Sequence, residues 1–402
     1  MPINILGFAI PLFVGFILLE YVIAKKKGLQ YFNLHNSIAN VSVGIAERLA
    51  DVFVSGVFYF VYDTVQKKYG LFHIHSGVFV WILLFIATDF IWYWYHRLGH
   101  EINIFWMAHI VHHQSEDYNL TVSARITVLQ AIFRHGFWLV LPLLGFNAGM
   151  ITAILLVHGL YPFFIHTRLI GKLGILEYIL VTPSHHRVHH ASNEKYLDKN
   201  YGDVLIIWDK LFGTFVKEEE EPVYGLTKPL NTYSFLWQHF HFFIELWLAV
   251  KKANGFKEKI KVLFSKPGKV DPSLRKEAEN IFGVHQNQIA IDKPLNKYVV
   301  WQMIILLISL SVFILLEQYA SVKIKVAFSL VTVLTLINCG AIMEQKRWVF
   351  YMEYIRLVVL LYLPFYSSSY WQIKTAVIIF VLTMIVSYYN TLQKNYYRYV
   401  LK

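Results

Sequence analysis

Three observations in the sequence predict an all-α, multispan membrane helical bundle with a cytoplasmic-facing, histidine-rich di-metal site. They are an apolar composition, a series of apolar runs of spanning length, and histidines clustered at helical spacing. Of 402 residues, 56% are hydrophobic and 17% aromatic, but only 16% are charged. Soluble domains carry about 25% charged residues, so the composition belongs to a membrane protein. The net charge of +11 does not point to nucleic acid, because the basic residues flank apolar runs instead of forming one stripe. That distribution is loop charge beside anionic lipid. Cys339 is the single cysteine, so no intramolecular disulfide forms and the redox compartment is not readable from it.

A spanning helix needs about 20 apolar residues. Runs of this kind cover 3–24, 40–62, 77–95, 127–145, 148–165, 299–317, 324–343, 354–369 and 371–390. The first has no basic leader or small-residue cleavage site and is followed by Lys25-Lys26-Lys27, so it reads as a retained span. Arg134 and His135 interrupt the fourth, and Pro162 sits near the end of the fifth. These two read as a short hairpin that does not fully cross. Lys25 to Lys27 place the first loop inside, which puts His96 to His113 and the stretch 166–298 on the cytoplasmic side. Lys346, Arg347, Lys394, Arg398 and Lys402 then also fall inside, with the N-terminus outside.

The chain divides into four expected parts. N-terminal spans occupy 1–76, a catalytic region with the histidine boxes 77–230, an interfacial helix and basic linker 231–298, and a four-span region 299–402. The acidic run "KEEEE" at 217–221 reads as a solvated face. The aromatic stretch 231–247, with His239, His241 and Glu245, fits a helix lying in the membrane interface.

Twelve of the 18 histidines fall between 96 and 190. Three boxes stand out: "HRLGH" with His96 and His100, "HIVHH" with His109, His112 and His113, and "HHRVHH" with His186, His189 and His190. At about 100° per residue, His96 and His100 lie about 40° apart, and each H-x-x-H-H triple covers about 100° of one helix face. Each box is therefore expected to present its imidazoles in one direction. Surface histidines near headgroups would not repeat this spacing three times. Neutral imidazole is a common metal ligand. Eight exceed the need of one ion, since a structural zinc takes about four ligands, and they suit two ions with open positions. Imidazole serves iron, zinc, copper or nickel, so the ligands alone do not choose the metal.

Neighbouring residues extend the candidate site. Asp89, seven residues before His96, lies within a span and about two helical turns away, where it is placed to accept a proton from a ligand's outer nitrogen. Glu101 follows His100 and is a candidate ligand, proton shuttle or structural partner. His166, before Thr167-Arg168, is a candidate ninth ligand. His135 and His158 fit no box and read as structural. His185 points about 100° away from His186 and also reads as structural, with Ser184 a candidate N-cap for the helix carrying the third box.

At these boxes the sequence resembles the fatty acid hydroxylase / sterol desaturase superfamily of membrane di-iron enzymes. "DFIWYWYHRLGHE", "HIVHHQSEDYNL" and "TPSHHRVHH" stand in that superfamily's order, and "DKNYGDVLIIWDKLFGTF" at 198–215 follows its pattern. "SEDYNLTVSAR", "FFIHTRLIGKLGILEYILVTPSHHRVHH" and "VYGLTKPLNTYSF" resemble more closely its tetrahydrobiopterin-dependent branch acting on glycerol ethers. One departure is Asp203 after "NYG", where a small residue is usual. The resemblance implies two Fe ions held by His96, His100, His109, His112, His113, His186, His189 and His190. It implies O2 as oxidant, tetrahydrobiopterin as soluble reductant and a lipid substrate taken from the bilayer. The implied reaction hydroxylates the carbon beside the ether oxygen, and the hemiacetal falls apart to a fatty aldehyde and a glycerol derivative. The membrane would be the endoplasmic reticulum in a eukaryote or the inner membrane in a bacterium. The boxes equally admit another lipid or sterol hydroxylase or desaturase of the superfamily with a different electron donor. A metal transporter fits less well, because transporters place their ligands near the bilayer midplane and these boxes sit at span ends.

Overall fold

The computed structural model describes residues 4–284, 293–366 and 371–400. Every regular element among them is helical, and the only β pairings are the isolated bridges Leu180–Leu205 and Ala191–Tyr224. The chain forms two compact units. One comprises Met1–Leu12, Asn231–Trp237 and Gln286–Lys402; the other comprises Phe13–Leu230 and Gln238–His285 and holds all the box histidines.

The larger unit is built on helices of three kinds. Long ones are α1 (Ala9–Lys26), α2 (Leu34–Tyr69) and α3 (Val78–Glu101). Short ones follow: α4 (Asn103–His109), α5 (Val128–Phe137) and α6 (Val140–Leu144). Then come α7 (Ala148–Ile165), the two single-turn pieces α8 (Pro183–His189) and α9 (Ile207–Leu211), and α10 (Phe235–Lys252), α11 (Gly255–Phe264) and α12 (Ser273–Phe282). Asn33 caps α2 by accepting from the amides of His35 and Asn36, and Asn147 caps α7 by accepting from Gly149. Gly145 makes the turn between α6 and α7 at φ 105°, and a Cβ there would meet the Phe72 carbonyl at 2.0 Å. Only glycine fits that turn. Between α2, α3 and α7 lies a core of Tyr62, Leu84, Tyr95, Trp138, Leu141, Phe146 and Ile151.

The smaller unit contains α13 (Lys293–Leu316), α14 (Val322–Met343), α15 (Val349–Tyr366) and α16 (Trp371–Val400). Glu344 caps the incoming segment by accepting from the Tyr233 and Ser234 amides and from Thr232. Arg356 bridges Glu353 at 2.6 Å and the Tyr298 hydroxyl at 3.2 Å. Cys339 is buried and free.

Among the described residues, five helical segments are long and apolar enough to cross a membrane: Ile5–Lys26, Val78–Glu101, Ala148–Ile165, Leu295–Tyr319 and Val322–Met343. Each matches an expected span. The run 40–62 falls within α2, whose first half buries Asn40, Ser42 and Glu47. The run 127–145 breaks at Trp138 into α5 and α6 and is too short to span, whereas its expected hairpin partner, α7, has spanning length. Residues 367–369 of an expected span, 285–292 of the expected linker, and Lys402 lie outside the described residues.

Candidate metal centre

The last turn of α3 presents His96 and His100 one turn apart. The chain bends at Ile102 into α4 and a 3-10 turn over Ile110–His113, bringing His109, His112 and His113 back against them. His166 ends α7, and α8 supplies His186 and His189, with His190 at its C-cap. These nine imidazoles form two groups. His96, His100, His109, His113 and His189 make one; His112, His166, His186 and His190 make the other. In each, one nitrogen per ring lies within 4.8 Å of all the rest.

The expectation that each box points in one direction is corrected by this division. Both H-x-x-H-H boxes are split. Residues i and i+4 stay together, as in His109/His113 and His186/His190, while residue i+3 crosses to the other group, as in His112 and His189. Helical geometry explains it: i+4 sits about 40° to one side of i, and i+3 about 60° to the other. One box therefore contributes to both groups.

The outer nitrogens fix which inner nitrogen carries the lone pair. His96 Nδ1 lies 2.8 Å from the Tyr201 carbonyl, His189 Nδ1 3.0 Å from Lys199 O, His112 Nδ1 3.3 Å from Arg125 O, and His166 Nδ1 2.5 Å from Pro162 O. A carbonyl only accepts, so each of these Nδ1 atoms carries the proton and each Nε2 a lone pair. The Nε2 atoms then face one another. His109 Nε2 is 3.0 Å from His96 Nε2 and 3.2 Å from His113 Nε2. His166 Nε2 is 3.2 Å from His112, 3.2 Å from His190 and 3.0 Å from His186. His100 Nε2 and His189 Nε2 are buried with no hydrogen-bond partner among the described residues. Two nitrogens at right angles around an ion about 2.1 Å away stand about 3.0 Å apart, so this donor set fits metal ions.

Burial also favours the neutral form, which binds a metal, in the rings beyond the spanning helices. It lowers the pKa of His109, His112, His113, His186, His189 and His190, with neighbouring histidines adding to the shift, and pushes His166 down to about 4.

His166 lies at the middle of the second group. It belongs to no box, so its position before Thr167-Arg168 is the sequence signal that singles it out. Asp89 and Glu101 stand apart from both groups. Asp89 accepts from the amides of Val204 and Leu205 and from the Trp208 indole, and lies 3.6 Å from His158 Nδ1. Glu101 binds Arg97 at 2.9 Å. Asp203, the departure from the superfamily pattern, finds its partner in the fully buried His158, with Oδ2 2.7 Å from Nδ1. His135 contacts Tyr62 and stacks on Phe58.

Two local expectations are corrected. The N-cap of α8 is Thr182 instead of Ser184. Pro183 has no N–H to lose at the first helical position, so the helix starts there. His185 stays outside both groups and accepts from the Thr182 amide through Nδ1. The acidic run is not simply a solvated face. Glu218 makes a two-pronged pair with buried Arg187, both contacts at 2.7 Å, and Arg187 also donates to the carbonyls of Thr167 and Ile170. That arginine ties the third box to the loop after His166. Glu219, Glu220 and Glu221 hold Lys195, Asn193 and Arg168 from more exposed positions.

The fatty acid hydroxylase family pattern matches residues 81–214, the segment containing all nine converging histidines. Several curated relatives carry the name alkylglycerol monooxygenase, three of them vertebrate proteins. The Homo sapiens protein is 41% identical over 65% of this chain and 59% of its own length. The Xenopus tropicalis protein is 34% identical over 87% of this chain and 80% of its own, and the Danio rerio protein 33% identical over 88% and 81%. The chain belongs to the alkylglycerol monooxygenase family, within the fatty acid hydroxylases. No solved structure matches it. The relatives' shared name is that of a monooxygenase, and on this helical chain with its candidate membrane spans the two imidazole groups are the part of the fold suited to metal chemistry. The chain spans about three fifths of the human relative's length.

Proposed function

We propose that this chain is a di-iron monooxygenase that cleaves the O-alkyl bond of glycerol ether lipids using O2 and tetrahydrobiopterin, with residues 77–230 carrying the chemistry. The observation that carries the reading is the pair of converging imidazole clusters, five beside four, with burial favouring the neutral form of the rings beyond the spanning helices and with His96, His112, His166 and His189 fixed with the lone pair on Nε2. His96, His100, His109, His113 and His189 hold one ion; His112, His166, His186 and His190 hold the other. Iron bound there supplies the oxygen activation that an unactivated C–H bond requires.

The chain's own residues do the rest. The carbonyls of Tyr201, Lys199, Arg125 and Pro162 fix the ring orientations. Trp106, packed against His100 and His113, and Tyr118, against His166 and His190, cover the imidazoles with aromatic surface and keep water away. Both spanning helices that end in ligands, α3 and α7, expose apolar side chains along their length: Ile82, Leu83 and Phe90 on one, and Leu156, Leu160 and Phe164 on the other. A lipid tail therefore reaches the site from the bilayer, while the reductant arrives at the span ends from water. Basic loops on that side support a cytoplasmic facing.

In the reaction one oxygen atom enters the C–H bond beside the ether oxygen and the other leaves as water. The two electrons that balance this would come from the soluble reductant, tetrahydrobiopterin, and the hemiacetal would separate into fatty aldehyde and glycerol. Product analysis of an alkylglycerol incubation, with and without tetrahydrobiopterin, tests this. Aldehyde that appears only with the pterin supports it. Oxidation at another carbon, or turnover on another donor alone, assigns the chain to a different lipid hydroxylase of the superfamily.

A further inference from the structure

The run Asp198–Tyr201 serves the first histidine group three times within four residues. Lys199 O lies 3.0 Å from His189 Nδ1, Tyr201 O 2.8 Å from His96 Nδ1, and Asp198 Oδ1 3.5 Å from His100 Nδ1. The second group takes its outer partners elsewhere, from Arg125 O and Pro162 O. The two carbonyl partners on either side of residue 200 reach different rings across a turn of the backbone. Asp198 and Asn200 supply the turn, at φ 57° and 55°, a left-handed conformation that Asn and Asp tolerate better than most residues.

Asn200 is fully buried and anchored on every side. Its Nδ2 donates to His185 O at 3.1 Å and Val216 O at 2.8 Å, its Oδ1 accepts from Val216 N at 2.9 Å, and its amide donates to Thr214 O at 3.1 Å. Asp209 then clamps the next two amides, Tyr201 at 2.8 Å and Gly202 at 2.7 Å.

We infer that Asn200 is a positioning residue, whose left-handed turn aims the Lys199 and Tyr201 carbonyls and the Asp198 carboxylate at the three outer nitrogens of one metal centre and not the other. The inference rests on the two-centre reading above and adds an asymmetry to it: one short loop holds the outer nitrogens of three rings of the five-histidine centre and of none in the other.

The test uses the full chain in nanodiscs, loaded with ferrous iron without oxygen and challenged with a chelator. Asn200→Gly keeps the left-handed backbone but removes the three side-chain hydrogen bonds. Asp198→Gly removes the carboxylate at an exposed position where folding is not at stake. Loss of such outer partners weakens metal binding by about 10–100-fold. Each variant is expected to release one of two ions about tenfold or more faster than wild type, with the other ion released at the wild-type rate. Release of both ions at wild-type rates overturns the inference, and so does equal acceleration of both, which marks general loosening. A wild-type chain that binds fewer than two ions contradicts the two-centre reading itself.

Discussion

At the scale of single residues, His166 holds the second centre together, since its Nε2 is within 3.2 Å of three other imidazole nitrogens. His166→Ala should lower bound iron from about two to about one per chain, whereas His185→Ala should keep both ions, because His185 only caps α8. Elemental analysis of the two variants separates these outcomes, and an unchanged iron content in His166→Ala would remove it from the ligand set. Asp203 makes a second prediction. Its removal leaves buried His158 without its 2.7 Å partner, so Asp203→Ala should cost about 1–3 kcal/mol of stability. Asp203→Asn, which keeps an acceptor, should cost less in the same thermal melts. The eight box histidines were legible in the sequence because their spacing repeats. Asp203 was visible only as a departure from pattern, since its partner lies 45 residues away on another helix.

At the scale of elements, the boxes work by helical phase. Spacing i, i+4 keeps two rings on one centre and i+3 delivers a third to the other, so two short helical segments stitch both centres together. The sequence shows that spacing but not the crossing, because the second group exists only once α7 and α8 bring His166 and His186 against His112. The loops were harder still. The acidic run reads as solvent-facing by composition, yet Glu218 holds Arg187 of the third box. Arg187→Ala should destabilise the protein by roughly 3 kcal/mol, since it strands a mostly buried carboxylate. Burial acts to raise the Glu218 carboxyl, but the Arg187 hydrogen bonds and charge outweigh it and hold it below its ordinary value. A carboxylate depressed in the folded state adds stability above its unfolded pKa of about 4.3, and that stability is lost as pH falls through the depressed value. Glu218→Gln should therefore melt below wild type at neutral pH and converge with it in strong acid. A gap that persists at low pH would contradict this account of the pair.

At the scale of the whole molecule, apolar composition makes the multispan helical architecture readable, and the helices Val78–Glu101 and Ala148–Ile165 explain why. Each is largely apolar and ends near the converging histidines: His96 and His100 lie in the last two turns of the first, and His166 lies at the C-cap of the second. α2 was less legible as a span, because buried Asn40, Ser42 and Glu47 serve contacts inside the larger unit. Asn40, for example, donates to Ser115 and Thr121 and accepts from Arg125. The resulting arrangement sets a lipid-facing apolar surface next to neutral, oriented imidazoles at the ends of the spans.

The central claim is that nine histidines form two centres of five and four. Its most direct test is iron counting on the purified chain and on one variant per centre. Wild type should carry about two irons, and His113→Ala and His186→Ala should each lose one while keeping the other. A wild-type chain that carries a single zinc, or variants that each lose all their iron together, would contradict it.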